Sequence, residues 1–336
     1  MISVGIDENG LGPRLGPLIV TSVVAKTTPT ALVRLRNAAK GELSKRLGDS
    51  KALISFGDCG LGEAWARAIA ERTSGLPCES PAEIVANLAL DGSADLHAPC
   101  PADHATQCWG FPPRFTADKD LIEQARRDLT WLEERDIDIR STTCVIVCVG
   151  RINEASRGGI TRNAIDLSAM ERLVLNARAC HLEDVEVVCG KVGGMNAYPQ
   201  YFRHLSRYQH TVVCEGAAKS TYEIESIGRV SWVRDAEAAH PLVALASLVG
   251  KCVREWTMGN IVRFYQSHEP SIMPASGYHD PVTSAFVEAT AKIRKTLSIV
   301  PSCFERTCLA TRRGRNQETE GSVTSSSSQE PLKPTL

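Results

Sequence analysis

The chain has 336 residues, 43% hydrophobic and 23% charged, with a formal net charge of -1. This is the composition of an ordinary globular protein with room for a large core, arranged as one large domain or two smaller ones. Near-neutral charge excludes a surface that attracts nucleic acid as a whole, so any polyanion contact has to come from local patches. No apolar run reaches the roughly 18 residues of a membrane span, and the start "MISVGIDENG" lacks the order of a secretory signal. A soluble, cytoplasmic protein with no membrane partner is expected.

In chain order, residues 2–7 ("ISVGID") and 17–26 ("PLIVTSVVAK") read as strands joined by a glycine- and proline-rich turn, the pattern of an antiparallel hairpin with a wide connection. Residues 55–136 hold helical stretches ("GEAWARAIAERT", "SPAEIVANLA", "DKDLIEQARRDLTWLEER") around a Pro- and Cys-rich middle, and read as an insertion. Further strands are expected in "TTCVIVCV", "VEVVCG", "HTVVCEG" and "VSWVRD". The segment "TRNAIDLSAMERLVLNARA" carries Ile165, Ala169, Met170, Leu173 and Ala177 on one helical stripe. A long helix is expected to start at Pro241, a residue favoured in a first turn. This order predicts an α/β fold, a mixed sheet flanked by helices, with a core of 1–54 and 137–304. From 305 to 336 the chain is polar and serine-rich, which predicts a disordered tail.

The twelve cysteines spread from Cys59 to Cys308 without a CxxC pair, and several lie in apolar runs. Small buried hydrophobes in a reducing compartment account for most of them. His97, Cys100, His104 and Cys108 have the chemistry of zinc ligands, although no paired spacing supports them.

The stretch "GIDENGLGP" ends a short apolar strand with adjacent acids, Asp7 and Glu8, then supplies Gly10 and Gly12. Alone this is a common turn composition. Read with distant segments, "GIDENGLGPRLGPL" resembles the opening motif of type 2 ribonucleases H (ribonuclease HII), in which a strand ends in Asp-Glu before Gly-Arg-Gly. "GDSKALIS", carrying Asp49, Ser50, Lys51 and Leu53, is similar to the family's Asp-Ser-Lys-x-Leu segment. "ITRNAIDLSAMERLV", "RDAEAAHPLVALASLVGKCVRE" and "ASGYHDPVT" resemble later family segments in the same order.

The resemblance implies a ribonuclease-H-like mixed five-stranded sheet with a helical insertion. It implies a metal-dependent endonuclease acting on the RNA strand of RNA–DNA hybrids, or at ribonucleotides embedded in duplex DNA. Asp7, Glu8 and Asp235 would hold Mg²⁺ or Mn²⁺, in a two-metal arrangement. Adjacent residues at the very end of a strand no longer need to alternate strictly, which would let Asp7 and Glu8 share one site. The backbone of Gly10, Leu11 and Gly12 would approach the sugar and its 2′-hydroxyl closely, Leu11 replacing the family arginine. Ser50 and Lys51 suit phosphate contact, and Lys251 and Arg254, one turn apart on the expected helix, would extend that patch or else form a solvated helix face. Tyr278 would pack on the sugar or else be a core tyrosine.

The chain departs from the pattern at the central strand, where Cys189 or Gly190 stands in place of a carboxylate. Glu215, ending the next strand-like run, is a candidate replacement, and Lys191 is another group that would fill the place. A second reading therefore stays open: a catalytically impaired protein that binds nucleic acid or, through residues 55–136, a protein partner. "AKSTYEIESIGRVSWVRD" suggests an extra hairpin before Asp235.

Overall fold

The computed structural model describes residues 1–38, 42–98, 100, 106–109, 114–181 and 183–307. Two apolar strands open it, β1 (Ile2–Asn9) and β2 (Leu18–Thr27), paired antiparallel. Helices α1 (Pro29–Ala38), α2 (Ser50–Leu53), α3 (Gly60–Ser74), α4 (Pro81–Leu88), α5 (Ser93–His97) and α6 (Lys119–Glu133) follow, before β3 (Ile137–Val147) returns antiparallel to β2. Next come α7 (Val149–Arg157), α8 (Arg162–Ala179) and the strands β4 (Val185–Gly190), β5 (His210–Cys214), β6 (Lys219–Ile224) and β7 (Gly228–Val233). The remaining helices are α9 (Ala236–Ala239), α10 (Pro241–His268), α11 (Pro281–Ala289) and α12 (Ala291–Thr296).

The local signals explain the main boundaries. Thr161 caps α8 by accepting a hydrogen bond from the Ala164 amide at 3.2 Å. Pro241 occupies the first turn of α10, where its missing N–H has no intrahelical partner to lose.

The strand order is β3-β2-β1-β4-β7-β6-β5, with β1, β4 and β7 parallel and the other pairs antiparallel. The mixed sheet flanked by helices is as expected, but it has seven strands instead of five. Residues 210–233 add two antiparallel hairpin strands beyond β7. Ser226 (φ 62°) and Gly228 (φ 120°) make the turn between β6 and β7.

Alternation along β1 sends its residues to two different layers. Ile2, Val4 and Ile6 join α8 and β4 in one core cluster, with Met170, Leu173, Val187 and Trp232. Gly5 faces the other way, towards α10, and a Cβ there would lie 2.3 Å from the Leu242 carbonyl carbon. Only a glycine lets the start of α10 come this close to the sheet. The helices of residues 55–136 pack on the same side: Trp65, Ile84 and Leu129 share a core cluster with Ile19, Ile146 and Val249.

The described chain ends at Thr307, and residues 305–307, assigned to the tail by composition, are tied to the fold by hydrogen bonds. Arg306 is only 2% exposed because backbone carbonyls accept from its guanidinium. Residues 308–336 of the expected tail, and His104 of the suggested zinc ligands, lie outside the described residues. Among the described residues no helix is long and apolar enough to cross a membrane.

Candidate active site

The parallel pairing of β1 with β4 stops at Ile6 and Cys189, while β1 continues to Asn9 against β2. Beyond that point β1 has an open edge. A cavity of about 370 Å³ forms there, lined by Asp7, Glu8, the Gly10–Gly12 loop, Lys51, Glu237 and Tyr278 among others.

Asp7 and Glu8 both line this cleft, by a different route from the one the sequence suggested. Both still lie in the β1–β2 ladder, opposite Thr21 and Val20. Strand alternation therefore holds, and the cleft wraps over the end of β1. Asp7 faces α9 and α10 and is 7% exposed. Glu8 turns its carboxylate back over the strand end, where Oε2 accepts from the Leu11 amide at 3.2 Å.

The third acid beside Asp7 is Glu237. It is within hydrogen-bond reach of Asp7 and of Asp49, and its Oε1 accepts from Ser247 Oγ at 2.7 Å. Asp235 has a left-handed backbone (φ 53°), and its side chain is 84% exposed at the rim, 3.7 Å from Arg234. The left-handed residue turns the chain so that the short helix α9 carries Glu237 inward.

The acids strain against their surroundings. Burial, then Glu237 and Glu8, push the Asp7 carboxyl well above the ordinary carboxylate range. Burial raises Glu8 as well, opposed by the Leu11 amide and Lys51. Asp49 is lowered, chiefly by the Lys51 amide, which donates to its Oδ1 at 2.9 Å. Two carboxyl groups in hydrogen-bond contact need a proton or a cation between them. Asp7 Oδ2 is buried with no hydrogen-bond partner. Hard oxygen donors of this kind suit Mg²⁺ or Mn²⁺. With the side chains as they stand, no three His, Cys, Asp or Glu among the described residues are grouped closely enough to hold a metal ion. The donor set fits such an ion in chemistry, and holding one requires the carboxylates to converge further.

At the central strand, Gly190 and not Cys189 occupies the cleft side. A Cβ on Gly190 would sit 2.7 Å from Asp7 Oδ1. Cys189 is fully buried in the opposite layer, in the cluster with Met170 and Trp232. Also in that layer is a group the sequence reading missed, Asp166 on α8. It is 0% exposed, neither carboxylate oxygen has a partner, and burial followed by Glu8 raises its carboxyl well above the usual range. In the sequence it looks like any acid on a helix.

Glu215 does not join the cleft. It follows β5, at the far edge of the sheet, and β5 stands four strand spacings from β1, about 19 Å at about 4.8 Å each. Its Oε1 instead accepts from Tyr222 Oη at 2.6 Å. Lys191 lines the cleft, but its ammonium donates to the Gly216 carbonyl, Asn196 Oδ1 (3.3 Å) and Ser220 Oγ (3.5 Å), away from Asp7. Ser50 is 3% exposed, its hydroxyl 2.8 Å from Ser247 Oγ.

Tyr278 is 39% exposed and lines the cleft, so it is not a core tyrosine. The Arg254 guanidinium lies 4.6 Å from its ring centroid and Lys251 Nζ 5.8 Å. Arg254 is itself fully buried, donating to the Ser276 carbonyl at 3.0 Å and pairing with Glu255 at 3.3 Å. Gly10 (φ 91°) packs directly on it, since a Cβ there would be 2.7 Å from Arg254 Nε.

No protein-family profile matches the chain, and no curated protein matches it. Among solved structures it is similar to ribonuclease HII of Archaeoglobus fulgidus in a complex with PCNA, at 20% identity over 93% of this chain and 97% of that one, TM-score 0.46. Ribonuclease H2 of Pyrococcus horikoshii gives 16% identity over 90% and 92%, TM-score 0.42. Bst ribonuclease HIII in complex with Mn²⁺ gives 12% identity over 91% and 66%, TM-score 0.43. At these values the likenesses assign no activity to this chain.

Proposed function

We propose that the chain is a metal-dependent endonuclease that hydrolyses the RNA strand of RNA–DNA hybrids or cuts at ribonucleotides embedded in DNA. The observation that carries this reading is that Asp7 and Glu8 of β1 and Glu237 of α9 line one cleft with the Gly10–Gly12 loop and Tyr278. A binding surface for a polyanion gains nothing from three acids at its centre, whereas phosphodiester hydrolysis through divalent ions needs them.

In this reading Asp7, Glu8 and Glu237 hold Mg²⁺ or Mn²⁺. Such ions, when bound, supply the Lewis acidity that activates water and stabilises the leaving oxygen. The chain's own groups do the rest. Lys51 and Lys251 offer point charges for phosphates at the rim. The exposed ring of Tyr278 offers a face for a sugar, fixed from behind by Arg254. The Gly10–Gly12 loop brings backbone amides close to the same sugar with no Cβ in the way.

A duplex carrying one ribonucleotide is the direct test. Purified protein with Mg²⁺ or Mn²⁺ is expected to nick it, and Asp7→Asn or Glu237→Gln to abolish nicking. An intact duplex with every metal overturns the nuclease. The absence of a carboxylate at Gly190 favours one second reading, a protein that binds such duplexes without cutting them. Binding by the wild type with no cleavage in either metal would establish it.

A further inference from the structure

An arginine from the other end of the described chain sits behind the Gly10–Gly12 loop. Arg306 Nη1 donates to the carbonyls of Gly10 (2.7 Å) and Leu11 (3.1 Å), and Nε and Nη2 donate to the Gly16 carbonyl at 2.9 and 2.7 Å. In a trans peptide the carbonyl and the following N–H point in opposite directions. Holding the Gly10 and Leu11 carbonyls against Arg306 therefore turns the N–H groups of Leu11 and Gly12 to the other side of the loop. That side is the cleft: the Leu11 amide is found on Glu8, a lining residue, and a Cβ on Gly12 would meet nothing within 4 Å.

Arg306 is itself fixed in place. Its amide donates to the Arg14 carbonyl at 3.0 Å, and Asn153 Nδ2 donates to the carbonyls of Ser302 and Glu305, both at 2.8 Å. Burial and the nearby Arg162 and Arg254 hold its pKa below the ordinary guanidinium value. A buried cation kept among other cations calls for a reason, and orienting the loop is one.

We infer that Arg306 is a positioning residue: by gathering the carbonyls of Gly10, Leu11 and Gly16 it keeps the Leu11 amide on Glu8 and presents the Gly12 amide to a ribose hydroxyl, and so sets preference for a ribonucleotide over a deoxynucleotide. This rests on the nuclease reading above. A lysine is no substitute, because one ammonium does not reproduce the planar fork that reaches three carbonyls.

The test compares wild type, Arg306→Met and Arg306→Lys in binding two duplexes, one with a single ribonucleotide and one all-deoxy, without divalent metal so that nothing is cut. Wild type is expected to prefer the ribonucleotide by about fivefold, the worth of one hydrogen bond. In both variants the preference falls towards one, while all-deoxy affinity stays within about twofold, the mark of a lost sugar contact and not of a lost fold. A folded variant that keeps the preference overturns the inference. If neither variant folds, the backbone amide resonance of Gly12 in wild type decides: it shifts with the ribonucleotide duplex and not with the all-deoxy one, and failure to shift overturns it. If wild type shows no preference at all, the nuclease reading and the ribose role fall together. Amide exchange at Leu11 and Gly12 then still reads the positioning: faster exchange in Arg306→Lys supports it, and unchanged exchange overturns it.

Discussion

The Cβ position of Gly190 lies 2.7 Å from Asp7 Oδ1, although the adjacent Cys189 is buried on the opposite face of the sheet. These two adjacent residues are therefore not interchangeable. Cys189→Asp puts an acid into an apolar cluster and is expected to destabilise the protein by about 3–5 kcal/mol, measured by denaturant unfolding, with no gain in metal binding. Gly190→Asp places the carboxylate beside Asp7, at the cost of moving the Asp7 side chain. It is expected to lower Tm in chelator and to enlarge the rise in Tm that Mn²⁺ produces.

Glu237 and Asp235 are two residues apart and separable by experiment. Glu237→Gln is expected to remove cleavage and the Mn²⁺-induced rise in Tm. Asp235→Asn, at an exposed rim position, is expected to change cleavage by no more than about threefold, the scale of a screened surface charge.

Asp166 makes stability depend on pH. Its carboxyl is raised in the fold, so the folded chain binds more protons than the unfolded chain from about pH 4, the ordinary aspartate value, up to the raised one. Stability from this group is present below that window and is lost as pH rises through it. Asp166→Asn is expected to raise Tm at neutral pH and to flatten the fall in Tm between mildly acid and neutral solution. An unchanged slope would mean that Asp166 is not the group responsible.

Gly10→Ala tests the floor of the cleft. A side chain there meets a positive φ and the Arg254 guanidinium together. Unfolding free energy is expected to fall by about 1–3 kcal/mol, and cleavage to fall further than stability alone explains, since Arg254 backs Tyr278. Denaturant curves and initial rates on the same preparation check both.

The sheet and helices were legible because their signals are local: the apolar runs of β1 and β2, the stripe of α8, Thr161 as a cap and Pro241 in a first turn. Asp7 and Glu8 were legible only when their stretch was read with distant segments, since alone it has the composition of a common turn. What the sequence hid depends on neighbours far away in the chain. Asp235 and Glu237 both line the cleft, and only the fold shows that Glu237 is the one in reach of Asp7. Glu215 looked equivalent to the other strand-end acids because sequence order does not give sheet order, and β5 is the outermost strand. Arg306 lay in a polar, serine-rich stretch, and its burial depends on carbonyl acceptors near the first strand.

The hydrogen bond between Arg306 and the Gly10 carbonyl spans 296 residues of sequence. During synthesis, β1 and its acids leave the ribosome long before their last support exists. Contacts of such long separation form late. The Gly10–Gly12 loop is thus completed only after residue 306 has left the ribosome, and until then the strand-end acids stand beside a loop with no fixed backing.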